Sequence, residues 1–280
     1  MTSRLIQQLF CLLLLISAFS FRAPQPMTWV AIGDSITYPN DHPEQTGNRI
    51  TKGYMTRVVE KLPYIKFVNQ GHNGWTATRI AQQIDSLGLT KADIYSVFLG
   101  TNDWWHSKPL GRFTDYQQNT GTSTVYGSFR IILDKLRRLN PQAHLLLITP
   151  MPRTDFVQIN NPKNNAYGSY KPKAGQTLEA FAVAIDSIGH AEQLPVVDLY
   201  HLRSLRVAKL VKYKRLKDPA TGQYVDYRYP AYTSIPFNPA TDEYPYPPAA
   251  IARTYDGLHP SDEGYELITR QLVRVMRKMD

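Results

Sequence analysis

The sequence predicts an α/β fold, a three-layer α/β/α sandwich around a five-stranded parallel sheet. Two observations carry this. Five short β-rich runs, at 28–32, 65–69, 94–99, 144–149 and 195–199, are interleaved with helical patterns. The first, third and fourth runs lack strict polar alternation, as strands covered on both faces do. Strand and helix alternating in this way place helices on both faces of a parallel sheet, with the functional site at the carboxyl ends of the strands.

The helices follow from spacing. Ile80, Ile84 and Leu87 form a first stripe, Phe129, Ile132, Leu133 and Leu136 a second, and Leu178, Phe181, Ala182 and Ile185 a third. A last stripe holds Tyr265, Ile268, Leu272, Val275, Met276 and Met279. Steps of three and four put each set on one helix face. Ser261 or Asp262 is the expected cap of the last helix. The pattern breaks at about 201–255, where a basic run is followed by a Tyr/Pro-rich stretch. An excursion of that length in a compact fold is usually functional or disordered. Its aromatic content leans toward order over the site.

The chain has 280 residues, 42% hydrophobic and 20% charged, which argues against disorder. Its single cysteine excludes an intramolecular disulfide framework and a Cys-based zinc or iron–sulfur site. That residue, Cys11, lies in an apolar run from 9 to 16, after the lone charge Arg4 and before Ala18-Phe19-Ser20. This is the pattern of a cleavable signal peptide over 1–20, and it implies a secreted or periplasmic protein. The run is short of the ~30 Å of hydrocarbon that a stable membrane anchor must cross. The mature chain, 21–280, would contain no thiol, and its net charge would fall from +9 to +8 with Arg4.

Four segments carry chemistry, each at the end of a strand or the start of a helix. Gly33-Asp34-Ser35-Ile36 presents a serine directly after the first strand. Asn69-Gln70-Gly71-His72-Asn73-Gly74 follows the second and Gly100-Thr101-Asn102-Asp103 the third. A glycine N–H and an asparagine amide there can converge on one developing oxyanion, usually the largest electrostatic contribution in acyl transfer. Asp256-Gly257-Leu258-His259-Pro260 precedes the last helix. Its Asp can orient and charge-stabilise its His, the base half of a Ser-His-Asp arrangement.

In this order the four segments resemble the SGNH subgroup of the GDSL esterase/lipase family, from about residue 27 to the end apart from the 201–255 excursion. The resemblance implies a flavodoxin-like hydrolase fold and a serine ester hydrolase without cofactor or metal. It assigns Ser35 as nucleophile, His259 as base and Asp256 as orienting acid. Ser35, Gly74 and Asn102 would form the oxyanion hole. Gly74 fits the family spacing, in which Asn, three variable residues and Gly-x-Thr follow one another, as in Gly74-Trp75-Thr76; Gly71 fits it less well.

No G-x-S-x-G, G-x-x-x-x-G-K-[ST] or H-E-x-x-H string occurs, which sets aside nucleophile-elbow hydrolases, P-loop NTPases and zincins. Of the remaining histidines, His72 and His106 adjoin the oxyanion segments, where surface or core placement competes with a place in the cleft. Trp75, Trp104 and Trp105 lie beside the same segments, where they can stack on sugar rings or simply pack the loops. Secreted bacterial members of this family often deacetylate polysaccharides, so the expected substrate is a carbohydrate O-acetyl ester, small or polymeric. Lipid or thioester acyl hydrolysis with the same residues, and carbohydrate binding without turnover, are the alternatives. Arg203, Arg206, Lys209, Lys212, Lys214, Arg215 and Lys217 form a basic run; its three-residue steps read as a solvated helix face, or as a binding site for an acidic glycan or anionic lipid head groups. A secreted chain without any binding motif argues against nucleic acid.

Overall fold

The computed structural model describes residues 25–279; the expected leader, 1–20, lies outside the described residues. Among the described residues no helix is long and apolar enough to cross a membrane. In chain order the strands are β1 (Met27–Gly33), β2 (Ile65–Gly71), β3 (Ile94–Phe98), β4 (His144–Ile148), β5 (Phe156–Gln158), β6 (Asn161–Ala166), β7 (Val196–Val197), β8 (Lys214–Lys217) and β9 (Tyr224–Tyr227). The helices are α1 (Tyr54–Lys61), α2 (Ala77–Gln83), α3 (Thr101–Trp105), α4 (Phe113–Gln117), α5 (Val125–Leu139), α6 (Leu178–Ala191) and α7 (Asp262–Met276). Five strands pair in parallel in the order β2-β1-β3-β4-β7, while β5–β6 and β8–β9 are antiparallel hairpins.

The period of two along the strands divides the core. On one face Trp29, Ala31, Ile94, Phe98, Leu146 and Ile148 pack on α1 and α7 through Tyr54, Val58, Ile268 and Leu272. On the other, Val30, Ile32, Tyr95, Val97, Leu145 and Leu147 meet α2, α5 and α6 through Ile80, Phe129, Leu133, Phe181 and Ile185. This is the expected three-layer arrangement. Ser261 caps α7, accepting from the Gly264 N–H at 3.3 Å.

Register then positions the site. Gly33 pairs with Gly71 on one side and with Phe98 on the other, and Phe98 pairs with Ile148. Four strands therefore end at one level, and the loops that follow them emerge along a single edge. The strand order reverses about β1, the crevice in which open parallel sheets bind ligands.

The basic run departs from expectation. No α-helix spans it; Val207–Lys209 is one 3-10 turn and Lys214–Lys217 is β8. The intervening apolar residues explain this, because Leu205 and Leu210 insert into the α1–α7 core and Val211 and Leu216 into a separate small core. Lys214 is buried and pairs with Asp155 at 2.6 Å, and Arg215 faces Asp226 and Glu243. Nor, Tyr255 apart, do the excursion's aromatics lie over the site. Tyr232 and Tyr246 are buried with Val157 of β5 in that small core.

Candidate active site

Ser35 follows β1 in a turn closed by the Thr37 and Tyr38 N–H groups, which donate to the Asp34 carbonyl at 3.1 and 3.0 Å. The Asp34 side chain turns inward, accepting from the Ile36 N–H (2.9 Å) and from Asn102 Nδ2 (3.3 Å). Burial pushes its carboxyl up to about 6, against the Ile36 hydrogen bond and the His259 charge. Across the crevice, the loop before α7 folds His259 back onto Asp256. Asp256 Oδ1 accepts from the Leu258 and His259 N–H groups at 3.0 and 2.8 Å, and Oδ2 lies 2.7 Å from His259 Nδ1. A carboxylate only accepts, so Nδ1 carries the hydrogen. The lone pair of Nε2 therefore faces Ser35 Oγ, 2.8 Å away.

Burial disfavours the His259 imidazolium, but the charge and hydrogen bond of Asp256, helped by Asp34, outweigh it and raise the pKa above 6.5. A serine, imidazole and carboxylate in this relay can take the hydroxyl proton as the oxygen attacks a carbonyl.

The two glycines of the second segment, of which the family spacing favours Gly74, separate clearly. A Cβ on Gly71 would sit 2.3 Å from the Tyr38 backbone N, so this glycine lets β2 close on the serine loop. Gly74 has φ +73°, lines the cleft beside Ser35, and has open space where a side chain would be. Among the described residues, neither the Ser35 nor the Gly74 backbone N–H donates to any acceptor. Asn102 also lines the cleft, and its Nδ2 donates to the Trp75 carbonyl at 3.0 Å as well as to Asp34. Asp103, fully buried, accepts from the Ala77 and Thr78 N–H groups at the start of α2 and so ties the Gly74 loop to the Asn102 helix.

The tryptophans divide. Trp105 lines the cleft. Trp104 is completely buried, its Nε1 donating to the Gln176 carbonyl, so it packs the loop and cannot stack on a substrate. Trp75 lies outside the cleft wall, stacked on His72 at 4.4 Å and under Arg79. His106 lines the cleft, whereas His72 does not.

The cleft holds about 320 Å³. One wall was not anticipated from sequence: the β5–β6 hairpin, contributing Phe156, Gln158, Ile159, Asn164 and Ala166. Its signal was present as Asn160-Asn161-Pro162 after an apolar pair, a turn motif between two short strands. Pro39, Gln45, Thr46, Asn73, Arg153 and Leu258 also line the cleft. From the 201–255 excursion only Tyr255 reaches it.

A model of the GDSL-like lipase/acylhydrolase family matches residues 31–267. The chain belongs to that family. The protein is thus a GDSL/SGNH-type ester hydrolase. No curated protein matches the chain. A crystal structure described as a possible lipase from Chitinophaga pinensis is 62% identical, covers 90% of this chain and 98% of its own, and superposes with a TM-score of 0.90. A Lactobacillus plantarum protein is 19% identical with a TM-score of 0.60, covering 91% of this chain and 99% of its own. A catalytic mutant of an acetylxylan esterase from Geobacillus stearothermophilus is 18% identical, covers 91% and 95%, and has a TM-score of 0.51. At those identities the last two attest the shared fold.

Proposed function

We infer that this GDSL hydrolase cleaves short-chain esters of carbohydrates through Ser35, His259 and Asp256. The observation that carries the mechanism is His259 bridging the other two residues, 2.8 Å from Ser35 Oγ and 2.7 Å from Asp256 Oδ2. Ser35 Oγ attacks the ester carbonyl as His259 Nε2 takes its proton. The carbonyl oxygen gains charge in the hole formed by the Ser35 and Gly74 N–H groups and the Asn102 amide, which must turn one N–H from its resting acceptor. His259 then protonates the leaving alcohol, and water repeats the sequence to release the acid.

The cleft's chemistry favours a polar alcohol. Gln45, Asn73, Gln158 and Asn164 offer amide donors and acceptors suited to sugar hydroxyls, and Trp105 offers an aromatic surface. The leader-like first twenty residues support export, so the substrate would be met outside the cytoplasm. Replacing Ser35 by Ala should lower kcat on an aryl acetate by about 10⁶-fold with folding intact; wild-type turnover by that variant would sink the mechanism. Incubation with acetylated xylan and with a long-chain aryl ester separates the substrate readings. Acetate release alone supports carbohydrate deacetylation, and long-chain hydrolysis supports a lipase. Glycan binding with neither reaction supports a binding protein.

A further inference from the structure

Arg153 follows β4 onto the edge where the site lies and lines the cleft, yet it is only 1% exposed. Trp104 and Trp105 hold its guanidinium on their ring faces, 5.1 and 4.8 Å from the ring centres. Nη2 donates to the Tyr167 carbonyl at 2.8 Å, and the buried Nε has no partner. Among the described residues no carboxylate forms an ion pair with it. The two acids near enough to feel its charge are already engaged. Asp155 accepts from Lys214, Tyr170 and the Gly168 N–H, and Asp256 accepts from His259 and the Leu258 N–H. A buried cation without a contacting anion is costly unless something completes it, and a planar fork of donors is matched by a carboxylate.

The surroundings carry the same sign. The cleft's one acid is Asp256, already bonded to His259. An adjoining depression shares Gly74 and His106 with the cleft and adds Arg79 and Lys108, with no acid. Lys173 sits 4.1 Å above the Trp105 ring.

We propose that the alcohol portion of the substrate carries a carboxylate near the ester, as in an O-acetylated uronate sugar, and that Arg153 is the residue that selects it. An acetyl group has no room for that charge, so the carboxylate belongs to the alcohol. The proposal rests on the ester-hydrolase reading of the same site.

The test compares kcat/KM of the full chain on acetylated oligogalacturonate and on acetylated xylo-oligosaccharide of equal length, with lysophosphatidylcholine as a phosphate-bearing ester. The expected result is at least a tenfold preference for the uronate ester, weakening as salt is raised. Arg153→Gln should bring that preference down to about unity, chiefly through KM. Arg153→Lys, which keeps the charge without the fork, should restore part of it. Equal kcat/KM on both sugars, an equal fall on both in Arg153→Gln, or a preference for the phospholipid would overturn the proposal. If Arg153→Gln does not fold, wild-type inhibition decides: galacturonate must inhibit aryl acetate hydrolysis more strongly than galactose. Failure of the esterase reading looks different, with no acetate released from any ester.

Discussion

Replacing Asp256 by Asn isolates the electrostatic half of the relay while preserving its shape. Asp256 Oδ1 is fixed by two backbone donors, the Leu258 and His259 N–H groups at 3.0 and 2.8 Å. In the variant those donors require the carboxamide oxygen at the Oδ1 position. The NH₂ group then replaces Oδ2, 2.7 Å from His259 Nδ1. Nδ1 must now accept, so the ring hydrogen moves to Nε2, and Nε2 can no longer take the Ser35 proton. An inverted tautomer of this kind costs about 10⁴-fold in kcat, or about 5 kcal/mol of transition-state stabilisation. The loss should be smaller than for Ser35→Ala, because the nucleophile remains. Steady-state hydrolysis of an aryl acetate across pH 5 to 9 measures it, with thermal melting to confirm that the variant folds. A folded Asp256→Asn enzyme within tenfold of wild type would refute the tautomer argument and with it the role given to Asp256.

Other outcomes follow from the same geometry. His259 acts only when neutral and its pKa is raised above 6.5, so wild-type activity should fall as pH drops through a midpoint above 6.5; a flat profile from pH 4 to 8 would contradict the assignment. In Asp256→Asn the residual activity should show that midpoint displaced downward, since burial, the largest influence on His259, is then no longer outweighed. Asn102→Ala should lower kcat by about 10²- to 10³-fold with little change in KM, the mark of a donor used in the transition state; a pure KM effect would speak against it. Lys214→Ala removes the partner of Asp155 in a nearly buried pair and should cost about 3 kcal/mol in urea unfolding, whereas a surface pair would cost under 1.

The sequence made most of the sheet legible, because strands covered on both faces leave short apolar runs and here these alternate with longer helical stripes. Three short motifs at strand ends and one before α7 were enough to bring Ser35, Asn102, Asp256 and His259 forward as candidates, and register delivers the ends of β1 to β4 to one level. Period and propensity failed where local signals are weak. The edge strand β7 has two residues, and α3 and α4 have five each, too short for a stripe. The basic run misled because the three-residue steps of 203, 206, 209 and 212 hid an apolar series, Leu205, Leu210, Val211 and Leu216, that anchors the chain irregularly. Arg153 lay beyond pattern reasoning altogether, because its place depends on two tryptophans and a carbonyl brought together only by folding.

The excursion has a consequence for how this enzyme can be altered. Thr154 N–H donates to the Gly257 carbonyl and Val157 N–H to the Asp256 carbonyl, so the strand leading into the hairpin is stitched to the loop that holds the base. Behind that seam, Tyr232 and Tyr246 hydrogen-bond to Thr154 and to the Asp155 carbonyl. What looks like a dispensable appendage is the backing of the loop that carries His259, the proposed general base. Trimming it would not yield a leaner hydrolase with a wider mouth but one whose histidine has lost its footing. Exchange of specificity with a relative would have to move residues 149–168, 205–246 and 255–259 together, as one cassette.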